Sequence, residues 1–147
     1  MRFDVNELRN YFEINDSEKL FSLAHTYQSN ITYIKEEEYV ELIKMLAFIL
    51  EKIYDMEDKN VQEAFFDVIK KVININFGKC AGLRYVIDLV IEKIESGYIG
   101  SFELEESLLI ISSTMDKHYS NIMERFVDHK NSNVREIVKE YFDDISL

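Results

Sequence analysis

Three histidines, one cysteine and a few paired carboxylates are the side chains of this sequence with the means to do chemistry. His25, His118 and His129 lie far apart, and no two have the i, i+4 spacing that sets paired histidines on one helix face to hold a metal. Their ordinary reading is as surface or turn residues. Asp55, Glu57, Asp58 and Asn60 resemble a calcium loop in outline, but the loop lacks the glycine at its sixth position and has Phe66 at its twelfth, where a bidentate glutamate belongs. Glu105/Glu106 and Asp143/Asp144 would serve acid–base work only if burial raised one pKa, and on amphipathic helices they fall mostly on the wet side. Cys80 has Lys79 beside it and no histidine near in sequence, so it reads as a small packing residue. No glycine-rich phosphate loop is present. These residues predict no catalytic centre, no metal site and no cofactor, and so a protein that is not an enzyme.

The composition sets what positions them. The 147 residues contain no proline and four glycines, and are rich in Ile, Leu, Val, Phe and Tyr. A chain so free of breakers can run in long helices, whereas Asn-Gly hairpin turns are missing, and the class expected is all-α. With 28 acidic against 17 basic residues the net charge is −11. Phosphate backbones and anionic bilayers select clustered Lys and Arg, so neither nucleic acid nor a membrane is expected as partner. Such acidity keeps a protein soluble and steers basic proteins toward it. The lone cysteine excludes an internal disulfide and a cysteine-based zinc cluster, and it fits a reducing compartment. The first residues, MRFDVNELRNYF, have no apolar core of a signal peptide, and apolar runs such as 45–50 are too short to span a bilayer. A cytoplasmic location is the expectation.

The elements follow from periodicity. A short helix over 5–14 and a second from the N-cap Asp16 to about 28, presenting Leu20, Phe21, Leu23, Ala24 and Tyr27, read as an N-terminal cap over 1–35, closed by a loop or short extended link at 29–35. Tyr39, Leu42, Ile43, Leu46, Ile49, Leu50 and Ile53 keep the spacing of a core-facing helix, and Val61 to Val72 gives its partner, so 36–76 is a first hairpin. A second spans 79–114, with helices over 83–94 and 103–113 around a glycine-containing linker, ESGYIGSF. A third spans 117–147, with helices over 119–127 and 133–145. The outer two match without a gap: ILEKIYDMEDKNVQEAFFDVIKKV at 49–72 aligns with IMERFVDHKNSNVREIVKEYFDDI at 122–145, an offset of 73 residues. That is two periods of about 36–37, inside the range of roughly 34–47 residues for helical-hairpin repeats.

The last hairpin resembles a HEAT repeat. Ile122, Met123, Phe126 and Val127, the turn Asp128–Asn133 and the Val134-Arg135 pair that opens the second helix carry the likeness. The first hairpin has Gln62 where that arginine belongs, and the family's turn proline is missing from every unit. The resemblance implies a right-handed HEAT/armadillo-like α-solenoid of about three stacked hairpins behind two N-terminal capping helices. It also implies a ladder role for Arg135 against Asp128. In size, acidity and architecture the chain is similar to bacterial toxin-immunity proteins of the contact-dependent growth-inhibition type. That likeness implies a monomeric module that neutralises a basic, nuclease-type toxin; the competing expectation is a scaffold or adaptor subunit of a larger assembly.

Aligned second helices would form one acidic face. The residues expected to bind the partner are Glu63, Phe66 and Asp67, then Glu103 and Glu106, then Glu136, Glu140 and Asp143, with Tyr98 and Tyr119 as further aromatic anchors. Phe66 enters because Val61, Ala64, Phe65, Val68 and Val72 already fill the core stripe of its helix.

Overall fold

The computed structural model describes residues 2–146, and among them every regular element is helical. The α-helices are α1 (Val5–Ile14), α2 (Ser17–Asn30), α3 (Tyr39–Ile53), α4 (Lys59–Asn76), α5 (Leu83–Glu95), α6 (Ser101–Ser112), α7 (Ser120–Glu124) and α8 (Ser132–Ile145). Short 3-10 turns precede α3, follow α4 and precede α7. The all-α class holds. α7 is shorter than the periodicity implies, because after Glu124 the chain turns by i→i+3 bonds, Arg125 N–H to Ile122 and Phe126 N–H to Met123, which tighten a helix end.

Short polar side chains start these helices by accepting N–H groups that a first turn leaves unpaired. Asp4 accepts from Asn6 and Glu7, Asp16 from Lys19, Asp58 from Asn60 and Val61, and Asn131 from Asn133. Asp58 and Asn131 stand 73 residues apart, so both halves of the sequence repeat cap at the same position. Four residues on, Gln62 and Arg135 are also equivalent, and both close the preceding turn. Buried Gln62 donates Nε2 to the Ile53 carbonyl at 2.9 Å, at the end of α3, where that carbonyl also accepts the Met56 N–H at 3.5 Å. Arg135 donates Nη1 to the carbonyls of His129 at 2.7 Å and Lys130 at 3.1 Å. The arginine thus spends its donors on turn carbonyls, in place of the expected Asp128 carboxylate, because the turn folds those carbonyls beneath the guanidinium. Arg135→Ala is expected to cost about 1 kcal/mol, the scale of an exposed charge-assisted hydrogen bond. Faster amide exchange confined to residues 128–133 would register it, and unchanged exchange there would remove the clasp.

The chain divides into two compact units, one ending at Val86 and the other starting at Ile87, within α5. In the first unit the principal packing joins alternate helices: α1 lies on α3 and α2 on α4. The cross-links show the same spacing. Arg2 to Glu38, the Val5 N–H to Glu41 and Gln28 to the Ala64 carbonyl each span 36 residues, and Tyr39 to Asn76 spans 37. Structural neighbours in this unit therefore stand half the sequence offset apart. α1 and α2, expected as caps, supply core residues in full: Leu8, Leu20, Ala24 and Tyr27 are as buried as Leu42, Leu46, Phe65 and Val68. In the second unit the main packing again joins alternate helices, α6 on α8, with α7 also against α8.

Candidate functional site

The ten residues expected at a binding face meet different fates. Glu63, Glu136, Glu140 and Asp143 are exposed and Asp67 is half-buried. Tyr98 is 98 % exposed, in the turn between α5 and α6 that Gly97 makes with φ +74°. Phe66, Tyr119, Glu103 and Glu106 are buried, which corrects the expectation that they stand on a wet face. Phe66 fails as a surface anchor because α4 is covered on more than one side; its ring meets Tyr54 edge-on at 5.7 Å. α6 is covered nearly all round, and its Glu103 folds back over its own N-terminus. There the carboxylate lies so close to Gly100 that an added Cβ would meet Oε2 at 2.7 Å. Negative charge at that end complements the helix dipole, and this tethers Glu103. On α8, Asp143 is held by Lys139 at 2.9 Å.

Glu63 and Asp67 converge on a concave surface. They line, with α2, a trough of about 510 Å³ whose walls are two facing helical stripes. Glu18, Phe21, His25 and Gln28 come from α2; Asn60, Glu63, Ala64 and Asp67 come from α4. At one end the Asp58 carboxylate accepts the Asn60 and Val61 N–H groups, and these bonds, Val61's first, help hold it below the usual carboxylate range. At the other, Gln28 donates to the Ala64 carbonyl at 3.4 Å, and Lys71 donates to the Gln28 carbonyl at 2.8 Å. Phe21 is 40 % exposed and meets His25 edge-on, ring centres 4.5 Å apart. Four carboxylates line the trough, Glu18, Asp58, Glu63 and Asp67, and no Lys or Arg side chain is among its lining residues. Lys70 pairs with Asp67 at 3.0 Å from just outside.

Ser17 and Asp58 form a saddle into a second hollow of about 540 Å³, which adds Glu51, Asp55 and Glu57 against the single cation Lys52. The two together make one acidic channel along the first unit. A third hollow of about 250 Å³ is neutralised from within, since Arg9 and Lys52 both lie over the Phe48 ring, at 4.6 and 5.8 Å.

The sequence reading named Glu63 and Asp67, which stand exposed and half-buried on α4, but did not name the α2 residues that face them. The signal was available. Leu20, Ala24 and Tyr27 already fill a core stripe on α2, which leaves Phe21 over by the reasoning applied to Phe66. Among the described residues no three His, Cys, Asp or Glu side chains are grouped so as to hold a metal ion. No helix among them is long and apolar enough to cross a membrane. Compared with known proteins, the chain matches no family model, no curated protein and no solved structure.

Proposed function

We propose that this chain is a non-enzymatic binding module that takes a basic protein partner on the acidic channel of its first unit. The carrying observation is the α2–α4 trough: concave, lined by four carboxylates and by no Lys or Arg, with an aromatic ring left half open. Charge of one sign in a cleft raises the rate at which an oppositely charged surface arrives, and an exposed aromatic then anchors it. A cytoplasmic immunity protein against a nuclease-type toxin is the role that fits best. A nuclease presents a basic groove to phosphates, and a surface of carboxylates can occupy it. The packing of alternate helices, together with cross-links 36 and 37 residues apart, supports a HEAT-like arrangement of hairpins as the scaffold, with α1 and α2 as a repeat in their own right.

Capture from lysate of the source cell at low salt, with wild-type and Glu63→Lys/Asp67→Lys proteins side by side, tests this. One basic polypeptide should be held in stoichiometric amount by the wild type, released by a salt step, and recovered at least about tenfold less on the variant. Equal recovery on both would dismiss the trough. Glu136→Lys/Glu140→Lys, on the exposed face of α8, should leave capture unchanged; a loss there would move the site to the second unit.

A further inference from the structure

We propose that the trough is built to receive an arginine side chain of the partner, its guanidinium laid on Phe21 and paired with Glu18 and Glu63. The inference rests on the basic-partner reading above and deepens it, from a charge to a side chain. Its ground is how this chain treats three of its other phenylalanines. Phe3 lies beneath Arg2 at 5.5 Å, Phe48 beneath Arg9 at 4.6 Å and Phe77 beneath Arg84 at 5.0 Å. Each ring's electron-rich face is thus met by a guanidinium from the chain itself, an arrangement worth more as water is excluded. Phe21 is 40 % exposed where Phe3 and Phe48 are buried, and the ring seated against it is His25, edge-on. Of the carboxylates around it Asp67 is paired with Lys70 from outside, and no Lys or Arg lines the trough itself. Glu18 precedes Phe21 by one helical turn on the same stripe of α2, and Glu63 faces them from α4. An aromatic ring with carboxylates on its own helix and on the facing one suits a planar, delocalised cation with hydrogen-bond donors at its edge. An ammonium group satisfies the charge but has no planar face to stack. The volume suits one side chain with its flanking backbone.

The test is a titration of the full chain, followed by backbone amide NMR, with three capped tripeptides, acetyl-Gly-Xaa-Gly-amide, in which Xaa is arginine, lysine or citrulline. The arginine peptide should shift amides of α2 and the first half of α4, bind about two- to fivefold tighter than the lysine peptide, and leave citrulline without effect. Phe21→Leu keeps an apolar side chain on an exposed helix face. It should remove the arginine preference, bringing the two peptides to equal affinity. Equal binding of arginine and lysine by the wild type, or an arginine preference that survives in Phe21→Leu, would overturn the inference while leaving the basic-partner reading intact. Shifts scattered over acidic surfaces of both units would overturn it also. That broader reading fails separately, if the Glu63→Lys/Asp67→Lys protein captures its partner undiminished.

Discussion

Phe66→Ala is expected to destabilise the first unit by about 3–5 kcal/mol, the usual cost of removing a fully buried aromatic from a core. Phe66 has no exposed surface, and its neighbours on α4, Phe65, Val68 and Ile69, are equally buried. Losing the ring opens a cavity beside Tyr54, whose edge-on contact goes with it. The deletion forfeits both transfer energy and dispersion contacts, and rigid helix backbones can close only part of the gap. In thermal melts followed by circular dichroism the midpoint should fall by about 10 °C or more. Tyr98→Ala is the matched control, an aromatic of similar size at 98 % exposure, and it should leave the midpoint unchanged. A Phe66→Ala protein that melts like wild type would mean the ring is at the surface after all. The same burial carries a warning for interface mapping. Substituting Phe66, or reversing the charge of buried Glu106, reports on folding before it reports on any partner.

The second large effect belongs to Glu38. Its carboxylate receives Arg2 in two bonds, Nε to Oε2 at 3.0 Å and Nη2 to Oε1 at 2.6 Å, and a third from the Lys35 N–H at 2.9 Å. Arg2 also donates to the carbonyls of Asn30 and Tyr33, so one guanidinium pins the N-terminal segment, the end of α2 and the turn that begins α3. The Arg2 bonds and then the Lys35 N–H hold the Glu38 carboxyl at about 2, well below its ordinary 4.5. A carboxyl whose pKa is depressed on folding stabilises the native state fully above its ordinary value. That contribution is lost as pH falls toward the folded value, here between roughly 4.5 and 2. Glu38→Gln keeps the shape and removes the charge, and it should cost about 2 kcal/mol at pH 7 by urea denaturation. That is less than the full shift would imply, since Arg2 stays partly in solvent and its Coulomb energy is screened. The gap between wild type and variant should hold from pH 7 to 5 and shrink steadily from 4.5 to 2. A gap that does not change with pH would show that Glu38 contributes shape alone.

Much of the fold is legible in the residues. The α1 boundaries, the cap at Asp16 and the core stripe of α3 are written locally, because a helix is closed by bonds between near neighbours and its caps by side chains two or three residues away. The repeat is legible for the same reason: Asp58 and Asn131 do the same job at equivalent positions. Even the departure at Gln62 kept the role of Arg135, since either side chain can reach a carbonyl at the turn.

Which side chains beyond a helix's first stripe reach water was not legible there, and this decides the site. Phe66 and Lys139 occupy equivalent positions 73 residues apart, yet one is sealed in the core and the other is open to solvent. Leu20 and Phe21 are adjacent apolar residues on α2; the first is buried and the second lies on the wall of an acidic trough. By itself the sequence determined the helices, their caps and the repeat that relates them, because short-range bonds and the 3.6-residue period fix those. The tertiary structure alone decided that α2 lies along α4. A helix has one core stripe by its own pattern, and any further burial, or any cleft, depends on which distant helix packs against it.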